Sequence, residues 1–448
     1  MLFLPLLLQQ PFGRLFLRLQ SLRLGILNLC LSLLFISVYS SFAHANESKE
    51  PAGKLTLQAA LGLAFDANPE LAVALREREA LSGVQTQAGL RPNPTVTTYM
   101  QDTRSDTRQT TLQLNQEIEL GNKRGARLEA ADAYYSKASA DIDAKKAEVH
   151  ANLVAAFYEV LASQERLALA KSSLDIANLA LDASAKRVKA GKSAPVEETK
   201  SKIAESTAKI EVAQAQSQLN GSRQRLSALW GNSSPQFEHA EGQVTHIPDS
   251  GDLNSLQLKL ADAPAVKAAM LEINARASFV KVEQSKAVPN ITVSAGVLNN
   301  QELGGLNQAL LGLTVPIPLF DRNQGNVKEA VSRQFKAEDE LVALKSQLSA
   351  RLTSQYERLK AAREAATALS QEILPGAQSA FDAASKGFAA GKFNFLDVLD
   401  AQRTLFQAKT QYIQTLLEAH QAVAEIERIV GDVMTHSTSE DAVTHQTN

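Results

Sequence analysis

The spacing of apolar and polar positions changes period along this chain, and it does so twice in the same order. From Leu55 to Ala88 the pattern is helical, interrupted near Pro69. Two short segments then alternate with period two, at about 94–101 and 110–119. In the second, Leu112, Leu114 and Ile118 stand against Gln113, Asn115 and Glu117, which predicts a strand with one apolar and one polar face. The helical period returns after Gly125 and persists to Gly191. In the second half, 256–287 reads as helix, and Ile291, Val293, Ala295 and Val297 alternate with Thr292, Ser294 and Gly296. Leu311, Leu313, Val315 and Ile317 form a fourth strand set, and a helical stretch follows from Gly325 to Gly391.

Landmarks place the two halves in register. Pro69 pairs with Pro264 and Pro94 with Pro289, each 195 residues apart. Gly125 pairs with Gly325, Ala190-Gly191-Lys192 with Ala390-Gly391-Lys392, and Gly231 with Gly431, each 200 apart. The chain therefore predicts a duplicated helix–strand–strand–long helix–helix unit, mainly α with a small β portion. The divisions are an export signal over 1–45, a first repeat over 46–235, a Pro/Gly/Ser-rich connector over 236–255, a second repeat over 256–431, and a polar tail over 432–448 expected to be disordered.

At about 1.5 Å per residue, each long helix spans roughly 100 Å. The return path is in two pieces, about 60 Å from Gly191 to Gly231 and about 48 Å over 256–287, which together regain the starting level. One unbroken helix runs down and two stacked helices climb back. Leu153, Val160, Leu167, Leu174, Leu181 and Val188 recur every seven residues, as do Val398, Leu405, Tyr412, Ala419 and Ile426, so neighbouring helices can interlock along their lengths. Pro375-Gly376 stands where the first repeat has Asp175-Ile176, which predicts a kink in the second long helix.

Composition agrees: with 21% charged and 5% aromatic residues, the chain suits long helices better than a bulky compact core. A basic stretch ending at Arg23, an apolar run from Leu24 to Val38 and Ala43-His44-Ala45 form an export signal with Asn46 as the expected new N-terminus. The apolar run is short of the roughly 20 residues of a membrane helix. Losing Arg14, Arg18 and Arg23, with no acid among them, takes the formal charge from −2 to −5. That balance argues against a nucleic-acid partner. Cys30 is the one cysteine and lies inside the signal after Leu29, so neither lipidation, disulfides, thiolate metal sites nor cysteine catalysis is expected.

No later stretch reaches the length of a membrane helix, so any crossing of a bilayer must use strands. Four strands per chain cannot close a barrel, since the smallest membrane barrels have about eight, and an open sheet edge cannot sit in lipid. Several copies must share one barrel. Two would give eight strands and three would give twelve, and counting alone leaves the choice open.

The duplicated plan and the paired helical hairpins resemble the TolC family of outer-membrane factors across essentially the whole mature chain. Pro-Val-Glu-Glu-Thr-Lys (195–200), Ala-Leu-Trp-Gly-Asn-Ser-Ser-Pro-Gln-Phe (228–237), Phe-Asp-Arg-Asn-Gln-Gly-Asn (320–326) and Gly-Lys-Phe-Asn-Phe-Leu-Asp-Val-Leu-Asp-Ala-Gln-Arg-Thr-Leu-Phe (391–406) resemble the outer-membrane component of cobalt–zinc–cadmium efflux systems more closely. A drug-exporting or protein-secreting outer-membrane factor is the alternative, and a periplasmic structural coiled coil a distant one. The resemblance implies a passive conduit rather than an enzyme, a homotrimer with an α-barrel and a shared twelve-stranded β-barrel in outer-membrane lipid, and a long periplasmic portion. It implies two partners, a periplasmic adaptor (membrane fusion) protein and an inner-membrane, proton-driven exporter of the RND type. It places the periplasmic tips, where the adaptor docks, at Gly191, Lys192, Gly391 and Lys392.

Asp397 and Asp400 lie three apart on one helical face just past the Gly391 turn. They read either as helix-end acids or, in a trimer, as two stacked carboxylate rings that concentrate cations in a narrow pore. The resemblance favours the rings. The first repeat has Glu197 and Glu198 there, with Lys200 in place of the second acid. Gly191-Lys192-Ser193 imitates a phosphate loop but lacks its first glycine and preceding strand, so it reads as a turn. His150, His239, His246, His420, His436 and His445 have no metal-ligand spacing, and no catalytic constellation stands out, so no cofactor and no resident metal are expected.

Overall fold

In a computed structural model of the protein, residues 50–431 are described. The export signal read over 1–45, Asn46 and the tail from 432 lie outside the described residues. In chain order the elements are β1 (Lys54–Thr56), α1 (Leu57–Ala67), α2 (Pro69–Ala88), β2 (Thr95–Gln101), β3 (Gln109–Ile118), α3 (Lys123–Lys189), α4 (Pro195–Ala228), β4 (His239–Glu241), α5 (Leu253–Lys259), α6 (Pro264–Lys286), β5 (Ile291–Asn300), β6 (Leu306–Thr314), α7 (Gln324–Ala368), α8 (Leu374–Ala389) and α9 (Phe395–Val430). The order α2-β2-β3-α3-α4 is repeated as α6-β5-β6-α7/α8-α9.

The 67 residues of α3 make one continuous helix of about 100 Å. Along it Leu153 and Val160 are fully buried and Leu167 nearly so, while Leu174, Leu181 and Val188 toward the Gly191 end are half-buried. In the second repeat the long helix is interrupted next to Pro375, where the sequence predicts it. A π turn over Leu369–Ile373 separates α7 from α8, and Pro375 falls in the first turn of α8. Proline cannot donate to the carbonyl four residues back and its ring crowds that carbonyl; a wider turn just before it removes the conflict. The long helices begin at Lys123 and Gln324 behind left-handed Asn122 (φ 56°) and Asn323 (φ 59°), so the structural offset there is 201 and Gly325 is not the counterpart of Gly125. At Gly191 and Gly391 it is 200.

Two expectations for the helical segments need correction. Leu55 belongs to a strand, because Lys54–Thr56 pairs in parallel with His239–Glu241. Helix then starts on Thr56, whose hydroxyl accepts from Ala59 N. The 256–287 segment is two helices, since a tight turn over Leu260–Asp262 precedes Pro264 at the head of α6. The connecting segment after α4 has structure of its own. It contributes β4, and the Glu50 carboxylate accepts from Trp230 Nε1 (3.2 Å), Asn232 Nδ2 (2.6 Å), Gln236 N (2.8 Å) and Phe237 N (3.1 Å). Around this clasp Leu55, Leu153, Phe157, Leu226, Trp230 and Phe237 form one core, and Leu352, Leu359, Val423, Ile426 and Ile429 form a second; Ile247 of the connector packs on both. Each such side chain contributes roughly 1.5–3 kcal/mol by burial.

The four long strands form an antiparallel sheet in the order β2-β3-β5-β6, so the repeats meet at β3–β5. Leu114 stands opposite both Val96 and Ala295, and Ala295 opposite Leu311. This register gathers Val96, Leu112, Leu114, Val293, Val297, Leu311 and Leu313 on one exposed face. On the other face Asn115 donates to Thr97 Oγ1 and accepts from Ser294 Oγ, both at 2.8 Å. The fourth strand lies over 306–314 rather than around 311–317. Its partner β5 starts at Ile291 just after Pro289, and Pro316 and Pro318 have no N–H to donate to a ladder.

Candidate functional site

The helical hairpins end in two turns of the same construction. Gly191 (φ +70°) and Gly391 (φ +71°) sit in the left-handed region, where a side chain would strain the backbone. Gly191 N donates to Val188 O (2.9 Å) and Lys192 N to Arg187 O (2.9 Å); Gly391 N donates to Phe388 O (3.0 Å) and Lys392 N to Gly387 O (2.8 Å). These bonds close the C-termini of α3 and α8. Lys192 and Lys392 are exposed. A phosphate loop is ruled out here, because the glycine ends a helix instead of following a strand.

The return helices start differently. Asn394 caps α9: its side chain accepts from Asp397 N, and the Asp397 carboxylate accepts from Asn394 N, each at 3.0 Å. Asp397 therefore has a capping duty whatever else it does. Asp400 is exposed one turn further on, and both acids lie on the exposed side of α9. Helix α4 opens on Pro195 with no side-chain cap and carries Glu197 and Glu198 in its first turn.

Arg187 was not legible as a site residue in the sequence. Its guanidinium donates to Phe388 O (3.3 Å) and lies 4.6 Å from the centre of the Phe388 ring, joining the tips of the two repeats. The signal available was slight: a basic last turn on α3 and an aromatic residue at 388 where the first repeat has Val188. Above the tips α3, α4 and α9 enclose an open groove of about 980 Å³ whose polar lining includes Arg166, Glu211, Gln402 and Arg403.

The histidines have structural surroundings. His420 stacks on Tyr158 (3.5 Å between centroids), with Nε2 2.8 Å from Val244 O, and His150 Nδ1 is 3.8 Å from the buried Glu427 carboxylate. Burial, reinforced by Glu427, pushes the Tyr158 phenol up to about 12. His239 stands at β4, His246 is exposed, and His436 and His445 lie outside the described residues. Among the described residues no three His, Cys, Asp or Glu side chains are grouped as metal ligands, and no helix is long and apolar enough to cross a membrane.

Where basic side chains meet the helix ends below the sheet, the chain is tied to its neighbours. Arg124 Nε donates to Gly89 O (2.5 Å), Lys123 Nζ to Val288 O (2.5 Å), and Asn323 Nδ2 to Glu283 O (2.7 Å) and Oε2 (2.8 Å). Burial works against ionisation of Glu283, but hydrogen bonds from Lys286 and Asn323 outweigh it and hold its carboxyl below the usual range. The elbow that carries sheet over bundle is thus fixed by capped carbonyls and charge-assisted bonds.

Long paired helices thus turn on glycine at Gly191 and Gly391 and lead into an open four-stranded sheet. The family described as outer membrane efflux protein matches residues 60–232 and again 255–432, and the chain belongs to it. This is a family of transporters rather than enzymes. The chain is 43% identical over 383 residues, 86% of its own length and 91% of the relative's, to the cobalt-zinc-cadmium resistance protein CzcC of Cupriavidus metallidurans. Its fold matches that of a membrane protein from Pseudomonas aeruginosa with a TM-score of 0.72 at 20% identity, covering 84% of this chain and 93% of that one. The outer membrane protein VceC of Vibrio cholerae matches with a TM-score of 0.70 at 18% identity, covering 84% and 96%.

Proposed function

We propose that this chain is the outer-membrane subunit of a tripartite efflux system that carries divalent heavy-metal cations such as cobalt, zinc and cadmium out of the cell. The observation that carries the reading is the relationship to the cobalt-zinc-cadmium resistance protein, which runs through nearly the whole of both chains. In this reading three copies close a twelve-stranded barrel in outer-membrane lipid and continue it as a helical tunnel through the periplasm. The tips at Gly191, Lys192, Gly391 and Lys392 receive a periplasmic adaptor, and an inner-membrane RND-type exporter supplies the proton-driven work. Selection of the ion by the exporter suits a conduit without a tight site, since tight binding would slow release. Asp397 and Asp400 then face the narrow end of the tunnel as two rings of carboxylates, which raise local cation concentration.

Deleting the gene should sensitise cells to cobalt, zinc or cadmium, and a plasmid copy should restore resistance. If deletion changes drug tolerance and leaves metal tolerance untouched, the cargo assignment is wrong and a drug-exporting outer-membrane factor replaces it.

A further inference from the structure

The bonds between sheet and bundle show which side of the helices continues the polar face of the sheet. Glu117 and Glu119 alternate with the apolar Ile118 at the end of β3. Glu117 Oε1 accepts from Asn290 Nδ2 (2.5 Å), and Lys123 Nζ donates to Asn290 Oδ1. One turn on, Arg127 donates to both carboxylate oxygens of Glu119. The face of α3 that carries Lys123 and Arg127 therefore continues the polar side of the sheet, and helical spacing puts Ala130, Ala131 and Tyr134 on it as well. In the channel reading that side lines the tunnel.

On this side α2, α3 and α6 enclose an open recess of about 640 Å³ just below the sheet. Its wall includes Val84, Leu90, Tyr134, Phe279 and Val282. Val84 is 50% and Leu90 53% exposed. Apolar surface left in water costs roughly 25 cal/mol per Å². Because α3 packs against both α2 and α6, the recess is built within one copy, and its place on the tunnel side keeps it from lipid. What reaches it is what the tunnel contains.

Charge bounds the apolar stretch at both ends. At the sheet end stand Arg91 and Arg127. Glu119 holds Arg127, whereas among the described residues no ion pair holds Arg91, which is exposed. At the other end, past Tyr134, Lys137 and Arg276 both lie against Glu272. Burial pushes the Tyr134 phenol up, so the ring between the two ends stays neutral. The charge left to meet a ligand is thus positive and sits at the sheet end.

We infer that the recess binds an amphipathic organic anion, its apolar body against Val84, Leu90 and Phe279 and its acid group at Arg91. The volume falls within the range of about 300–1,000 Å³ typical of small-molecule sites. The site rests on the channel reading and adds to it a class of solute that a cation cargo does not suggest. Lodged in the wall, such a molecule narrows the tunnel and lowers cation flow.

The test uses 8-anilinonaphthalene-1-sulfonate as probe, added to the protein while it conducts a monovalent salt in planar bilayers. Cation current should fall in a saturable way, each variant being read against its own current without probe. Arg91→Gln should raise the half-blocking concentration about tenfold, the loss of one charge-assisted bond. Val84→Asp, which sets a carboxylate against the apolar body, should shift it in the same direction. Lys281→Gln should block as the parent does, since Lys281 pairs with Glu129 outside the recess. N-phenyl-1-naphthylamine, the same body without the sulfonate, should block less well and respond to Val84→Asp but not to Arg91→Gln. No block up to millimolar probe, or a block that neither recess variant shifts, would overturn the site and leave the channel standing. A protein that inserts but carries no current would remove the channel reading, and the site with it.

Discussion

At the residue scale, Asp397 and Asp400 differ in what their removal does. Asp397 closes a capping box with Asn394, so alanine there costs about 1 kcal/mol of helix start as well as a charge. Asparagine at both positions removes the charge and leaves an amide oxygen to accept from Asn394 N. Single-channel recordings of the Asp397→Asn, Asp400→Asn variant should show weaker cation preference with normal oligomer yield. Unchanged cation preference would return both acids to the role of helix ends. Neutralising Glu197 and Glu198 should do less, since Lys200 already offsets them. Tyr158 gives a second residue-level expectation. Burial holds its pKa at about 12 in the folded protein, above the ordinary phenol value of about 10, so its contribution is complete below pH 10 and is lost as pH rises through 12. That difference corresponds to roughly 2–3 kcal/mol. Alkaline unfolding followed by circular dichroism should therefore show a shallower loss for Tyr158→Phe than for the parent between those limits.

At the scale of elements, what the sequence revealed follows from local rules, and what it hid depends on distant partners. The hairpin tips were legible because a left-handed turn residue favours glycine, and the long helices because the heptads run unbroken over many turns. The small β1–β4 sheet was hidden: Leu55 and Leu57 continue a helical period, and the strand exists only because Ala240, far along the chain, lies beside Leu55. The Glu50 clasp was hidden for the same reason. Four donors converge on that carboxylate, and glutamine would turn an N–H₂ toward some of them. Glu50→Gln should cost roughly 2 kcal/mol. Thermal unfolding should register it, and an unchanged midpoint would mean the segment is held by Leu55 and β1 alone. The kink was legible at Pro375 in position but not in kind, since a π turn and a simple bend satisfy proline equally. Hydrogen exchange should be faster over 369–376 than over the matching 169–176, and Pro375→Ala should slow it.

At the scale of the whole molecule, the sheet decides the assembly. Its apolar face leaves Leu311 84%, Val96 70% and Leu313 66% exposed, which is unfavourable in water and favourable in lipid. Its polar face is laced by the Thr97–Asn115–Ser294 hydrogen bonds, which suit a water-filled interior. Yet β2 and β6 end the sheet with unpaired backbone groups, and each such group left in hydrocarbon costs several kcal/mol. A single copy therefore cannot rest stably in a bilayer, whatever its helices do. Closing the edges on further copies removes the penalty at every strand, and the long helices below then lie side by side as a continuous wall. Purified from membranes in detergent, the protein should have the mass of a trimer by light scattering, and the trimer should resist dilution until heated. A folded monomer with full strand content in detergent would show that the edges are satisfied some other way, and the barrel, the tunnel and the carboxylate rings would all fall with it.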